Sequence, residues 1–189
     1  MISHKNKFIF VEVPKTGTKS IVSYLLQFED PQNNLRKICQ IKNGGISHRP
    51  LAKYSMSHRN QYFCFAFVRN PWDRVVSRYA YHIRKKRNKS TSFKMFVENY
   101  LDNHKPFFHA VLQYDLVGHP GMDFIGRYET LQNDFNIVCD KIGIPHDKLP
   151  IIGKSKHEAY DKYYDDETYD IVTEKYAKDI EYFGYKFGE

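Results

Sequence analysis

Residues 7 to 20 read KFIFVEVPKTGTKS. Phe8 to Val11 is uniformly apolar and rich in aromatic and β-branched side chains. Pro14 and Gly17 then break regular structure, and SIVSYLLQF (20–28) restores helical spacing. The stretch therefore predicts a buried strand over 7–13, a tight loop and a helix. A glycine loop between a strand and a helix exposes backbone N–H groups, and the helix start adds partial positive charge. Lys15, with the hydroxyls of Thr16, Thr18 and Ser20, completes a cradle for an oxyanion such as phosphate or sulfate. The alternative reading is an ordinary strand-to-helix turn.

The same order recurs downstream. YFCFAFV (62–68) reads as a second buried strand, Arg69-Asn70-Pro71 stops it, and WDRVVSRYAYHIRKK (72–86) has the length of a helix, with Pro71 suited to its first turn. Arg69 stands at the strand tip and Ser77 two turns into the helix, so both can serve one phosphate, the guanidinium as a forked charged donor. Trp72 reads as a packing residue more readily than as a platform for a base, and Arg74 as a structural cation.

Outward from these two units, a helix is expected over 91–101, a strand over 123–128, and a helix over 130–143 with Leu131, Phe135, Val138 and Ile142 on one face. A closing helix over 165–184 carries Tyr169, Val172, Tyr176, Ile180 and Phe183 along one stripe. Residues 30–60 hold turn signals at Asp30-Pro31 and Asn43-Gly44-Gly45, and a short helix is expected near 50–55. Strand and helix alternate, which predicts an α/β fold with a mainly parallel sheet and ligands at the carboxyl ends of its strands. With 189 residues and no linker-like segment or repeat, one domain over 1–189 is expected.

Charge is unevenly spread. Residues 157–189 hold 10 acidic and 4 basic side chains, whereas residues 1–156 hold 25 basic and 12 acidic, a net of +13 that attracts anions. No apolar run approaches the ~18 residues of a membrane span, and no signal-peptide pattern opens the chain. Three cysteines (Cys39, Cys64, Cys139) at wide spacing suggest neither a disulfide framework nor a metal knuckle. A soluble protein of a reducing, cytoplasmic compartment is expected, with no membrane partner and no metal.

Two anion cradles on two strand-helix units suit a nucleotide with phosphates at both ends. PKTGTKS (14–20) and RNPWDRVVS (69–77) resemble the two signatures of the sulfotransferases that use 3′-phosphoadenosine 5′-phosphosulfate (PAPS), and in particular the carbohydrate-type sulfotransferase family 2. That family carries a PK[ST]G-type loop for the 5′-phosphosulfate and an R[DN]PxxRxxS segment for the 3′-phosphate. The likeness continues through FIGRYETLQNDF (124–135) and the C-terminal region from LPIIGKS (149–155). The resemblance implies a P-loop NTPase-like three-layer fold and metal-independent sulfuryl transfer from PAPS to an acceptor hydroxyl, with 3′,5′-ADP as product. It makes Lys15 the group that neutralises the bridging oxygen, Thr16, Gly17, Thr18, Lys19 and Ser20 the holders of the 5′ end, and Arg69 and Ser77 the holders of the 3′-phosphate. Such a leaving group needs preorganised positive charge. The implied acceptor is a hydroxyl-bearing glycan or other small molecule, acidic ones included.

Sulfuryl transfer to a hydroxyl gains from a proton acceptor. Three candidates stay open. His48 lies where uronyl 2-O-sulfotransferases, which this chain resembles in motif order, carry a catalytic histidine, although Pro50 departs from the H-x-[ST]-like pattern. Glu12 ends the first strand and either faces the acceptor or forms an ion pair with Lys15 or Lys19; His58 is the third. The chain also departs from the family at Lys19, where Ser or Thr is common, at Glu12, where a His is, and at Gly153, where the C-terminal pattern often has Asn, leaving the roles of Lys154 and Ser155 open. The basic run Arg84–Lys89 is either a solvated face or a rim that recruits an acidic acceptor. A P-loop kinase is the first rival, but Gly17-Thr18-Lys19-Ser20 lacks the Gly-Lys-Ser/Thr order of a Walker A loop. A non-catalytic polyanion or nucleic-acid binder is the second, and no nucleic-acid signature supports it.

Overall fold

The structure is a computed structural model that describes residues 1–30, 48–86, 90–101 and 110–189. Cys39, the Asn43-Gly44-Gly45 turn, His104, His109 and the end of the basic run at 87–89 lie outside the described residues. Two compact units divide the chain: Met1–Val68 with Leu116–Lys154, and Arg69–Asp115 with Ser155–Glu189.

The first unit is built on a four-stranded sheet in the order β1 (Ile2–Ser3), β2 (Phe8–Val11), β3 (Phe63–Val68), β4 (Phe124–Arg127). β2 and β3 run parallel with Phe8 opposite Phe63 and Val11 opposite Ala66. β3 and β4 run parallel with Phe65 opposite Phe124 and Val68 opposite Arg127. Every residue of β2 is buried, and all of β3 after Phe63. Strands covered on both faces need no polar alternation, which is why FIFV and FCFAFV are unbroken apolar runs. The sequence does not announce β1, which pairs antiparallel to β2 through Ile2 and Ile9; two residues carry no period.

One face of this sheet is an aromatic core. Phe10 stacks on Phe65 at 5.0 Å between ring centroids, and Phe67 meets Phe10 edge-on. Ile21, Val22 and Leu25 of α1 (Thr18–Leu25) and Phe135, Val138 and Cys139 of a later helix (Leu131–Ile142) join the same core, with Leu131 and Ile142 partly buried at its margin. The expected helix near 50–55 is a 3₁₀ turn at Leu51–Lys53 followed by α2 (Met56–Gln61), which Ser55 caps by accepting the His58 N–H. The polar MSHRNQ of α2 has no apolar stripe to signal it.

The second unit is helical: α3 (Pro71–Lys86), α4 (Phe93–Tyr100), then, after α5 (Gln113–Val117) and the α6 of the first unit (Leu131–Ile142), α7 (Asp166–Lys175) and α8 (Ala177–Phe183). Asn70 caps α3 by accepting the N–H groups of Trp72 and Asp73. Trp72 lies flat against Tyr169 at 6.0 Å and donates its indole N–H to Thr173. The single closing helix expected over 165–184 is two helices, because the backbone leaves helical geometry at Tyr176 (φ −109°, ψ 19°). Tyr176 is buried with Arg74 over its ring, and the bend lets Asp179 of α8 accept the N–H groups of Gln113 and Tyr114.

Gly126 of β4 has no room for a side chain: a Cβ would lie 2.5 Å from Phe67 Cε1. Gly126→Ala should cost about 1–3 kcal/mol through displacement of a core phenylalanine, read as a lowered melting temperature. An unchanged melting temperature would reject the register of β3 on β4. Burial pushes the Cys64 thiol up to about 11 and that of Cys139 to about 12. Both should therefore resist iodoacetamide at pH 8 and react once the chain is unfolded, since the thiolate is the nucleophile; alkylation of either in the native protein would contradict the packing.

Candidate functional site

The loop that follows β2 is fixed from inside. The Val13 carbonyl accepts the hydroxyls of both Thr18 (2.7 Å) and Thr16 (3.0 Å). Two threonine hydroxyls thus converge on one acceptor, and Thr16 and Thr18 are buried. The reversal places Lys15 at φ 71° and Gly17 at φ 77°, both left-handed. Glycine is required at 17 twice over, because a Cβ there would also stand 2.7 Å from Leu131 Cδ2 of α6. α1 starts at Thr18 with no side-chain cap from Gly17 and no acidic residue in its first turn. The first N–H groups of a helix attract an anion, although here that of Ser20 already donates to the Gly17 carbonyl at 2.9 Å. Ser20 accepts the N–H of Ile152 at 3.2 Å, and Gly153 (φ 73°) approaches the aliphatic stem of Lys19. Ile152 and Gly153 therefore rest against the start of α1 within the first unit.

Behind the loop lies a buried polar cluster. Glu12 is 3% exposed, and its carboxylate meets the Met1 amino group at 2.9 Å. Its main-chain carbonyl bonds His48 Nδ1 at 2.6 Å. A carbonyl only accepts, so Nδ1 carries the proton, and a neutral His48 ring keeps its lone pair on Nε2. Burial, with the Glu12 charge adding to it, pushes the nearby Tyr54 phenol up to about 12, so Tyr54 stays neutral. His58 is placed elsewhere: its ring packs against His4 and Tyr62, before the first residue of β3, whereas the loop follows the carboxyl end of β2.

In the second unit Arg69 follows directly on β3 and is 4% exposed. Its N–H donates to Gln113 Oε1, and its carbonyl accepts from Gln113 Nε2, both at 2.9 Å. Its guanidinium donates to Asp73 Oδ2. Ser77 is buried with its hydroxyl 2.9 Å from that of Ser155. Arg74 is an internal cation: it donates to the Val111 carbonyl, pairs with Asp179 at 3.8 Å and lies over Tyr176. Burial pushes the Asp179 carboxyl up, and Arg74 with the Gln113 and Tyr114 N–H groups pulls it back. Gln113, Asp73 and Asp179 escaped sequence reasoning. Gln113 lies in no motif, and nothing in the local pattern says that its amide grips Arg69.

The geometry thus gives two polar arrangements at strand ends, each within its own unit: the Lys15–Ser20 loop, and Arg69 with Ser77 and Ser155. A family model described as "Sulfotransferase family" matches residues 1–186. The chain belongs to this family. It is also similar to human carbohydrate sulfotransferase 9, 26% identical over an alignment of 231 positions that takes in 95% of this chain and 47% of the human protein. An uncharacterised protein of Archaeoglobus fulgidus is 36% identical over 105 residues, covering 53% of this chain and 84% of that protein. The chain thus spans about half the length of its human sulfotransferase relative. Among the described residues no helix is long and apolar enough to cross a membrane.

A lysine held in the left-handed region costs ~1–2 kcal/mol that a glycine would not. If the Lys15 conformation is retained for its ammonium group rather than for the fold, Lys15→Gly should unfold at the same or a higher temperature than the parent, and higher than Lys15→Ala. A lower melting temperature for the glycine variant would mean that Lys15 is a structural residue.

Proposed function

We propose that this sulfotransferase moves the sulfuryl group of PAPS to a hydroxyl of a carbohydrate acceptor, by in-line displacement, within a P-loop NTPase-like domain formed by residues 1–189. The observation that carries the reading is the loop after β2. It joins a lysine in left-handed backbone, three residues before an uncapped helix, to threonine hydroxyls that are bonded to the Val13 carbonyl, so that main-chain N–H groups and the Lys15 ammonium group are the donors we assign to the anion. Lys15 neutralises the charge that develops on the bridging oxygen as its bond to sulfur breaks. Thr16, Gly17, Thr18, Lys19 and Ser20 hold the 5′ end, the first four through main-chain N–H groups and Ser20 through its hydroxyl proton, its own N–H being donated to the Gly17 carbonyl. Arg69 and Ser77 hold the 3′-phosphate. His48 takes the proton of the acceptor hydroxyl at Nε2, since Nδ1 carries the proton that is donated to the Glu12 carbonyl. Glu12, whose carboxylate is buried against the Met1 amino group, is the alternative proton acceptor. No step requires a metal ion, because Lys15 and the helix start supply the positive charge.

A thermal-shift titration with 3′,5′-ADP, 5′-AMP, ADP and ATP, with and without magnesium, tests the donor, since a ligand of the native state raises its apparent stability. Selective, magnesium-independent stabilisation by 3′,5′-ADP is expected. Stabilisation by ATP with magnesium would replace the reading with a kinase, and tight length-dependent binding of an oligonucleotide in its place would point to a polyanion binder. Arg69→Ala should weaken 3′,5′-ADP at least about tenfold. Lys15→Ala should leave that affinity nearly intact while turnover falls about 10²- to 10³-fold, and His48→Ala should lower turnover about 10²- to 10⁴-fold.

A further inference from the structure

Arg69 is held at both its ends, and the two holds differ in kind. Its main chain is clamped by Gln113, which is fully buried and is itself tied through its own N–H to Asp179 at 2.9 Å. Nothing in that clamp fixes the side chain. The guanidinium is directed by Asp73, one turn into α3: Nε donates to Asp73 Oδ2 at 2.8 Å, and Nη2 reaches the same oxygen at 2.8 Å. The second carboxylate oxygen of Asp73 faces His157 Nε2 at 3.9 Å.

A carboxylate is a costly neighbour for a phosphate receptor, because it opposes the anion the arginine is to attract. Its benefit is order. A free arginine side chain has rotamer entropy to lose on binding, and a receptor whose arginine is already oriented loses that entropy in folding instead. One oxygen holding two adjacent N–H groups also sets the plane of the guanidinium, which a single hydrogen bond does not. Helix α3 has a cap without Asp73, since Asn70 already accepts the N–H groups of Trp72 and Asp73.

We propose that Asp73 is a positioning residue of the nucleotide site, acting through Arg69 to pre-orient the guanidinium toward the 3′-phosphate of the donor. The proposal rests on the reading that Arg69 holds that phosphate. A merely structural acid at the start of α3 would support the helix alone, and would affect all nucleotides equally.

Isothermal titration of 3′,5′-ADP and of 5′-AMP separates the two roles, using the parent, Asp73→Ala, Asp73→Asn, Arg69→Ala and the double variant. Asp73→Ala should weaken 3′,5′-ADP about 5- to 20-fold and 5′-AMP less than about twofold. Asp73→Asn, which keeps an acceptor oxygen, should recover part of the loss. In the Arg69→Ala background Asp73→Ala should have no further effect on 3′,5′-ADP, because the group it positions is gone. If Arg69→Ala leaves 3′,5′-ADP affinity unchanged, the assignment of the 3′-phosphate to Arg69 fails, and the inference with it. If Arg69→Ala weakens binding while Asp73→Ala leaves it unchanged, strengthens it, or weakens both nucleotides alike, the assignment stands and the positioning role of Asp73 is overturned. Melting temperatures recorded on the same samples confirm that each variant is folded.

Discussion

The parallel pairing of Phe8–Val11 with Phe63–Val68 is the constraint on which the rest of this structure depends. Parallel strands run out in the same direction, and a strand buried on both faces must hand its chain to a connection at its end. β2 hands over to the Lys15–Ser20 loop and α1, and β3 hands over to Arg69 and α3. The aromatic layer of Phe8, Phe10, Phe65 and Phe67 fixes the register, since a slip by one residue would turn those rings to the other face.

That much is legible in the residues, because the signals are local and strong: unbroken apolar runs closed by Pro14 and Gly17, or by Arg69-Asn70-Pro71, with helical spacing beyond. The features that escaped are those decided by partners far away in the chain. The break at Tyr176 interrupts a stripe that is helical by spacing, and it exists because Tyr176 and Asp179 are drawn into a cluster with Arg74, more than 100 residues earlier. Gln113 sits in a five-residue helix too short to show a period. β1 is two residues long, and its value lies in capping the free edge of β2.

Arg69 and Arg74 show why spacing alone cannot assign a cation. They stand five residues apart in one motif and are equally buried, at 4% and 3% exposure. Arg74 is met by a carbonyl, a ring and the buried carboxylate of Asp179, which would be costly to leave unpaired, so its charge belongs to the interior of the second unit. Arg69 meets instead Asp73, an acid of its own helix turn that is itself 17% exposed by side chain. The Arg69–Asp73 pair thus lies nearer solvent than the Arg74–Asp179 pair. The difference between the two arginines lies in the acid each faces, and only folding decides which acid that is.

The loop after β2 poses the converse case, in which local chemistry alone accounts for the geometry. Two threonine hydroxyls converging on the Val13 carbonyl satisfy that acceptor within the turn. The chain reaches that arrangement only by passing through left-handed backbone at Lys15 and Gly17. Glycine accepts this conformation at little cost, whereas lysine does not. A fold selected for stability alone would place glycine at both positions, or asparagine at the first. Lysine stands there at a cost of ~1–2 kcal/mol, and strain of this kind persists only where the surrounding structure over-determines it, most often at functional sites. The threonine hydroxyls thus hold the turn from within, both bonding the Val13 carbonyl, and left-handed backbone at Lys15 and Gly17 is the cost of bringing them there.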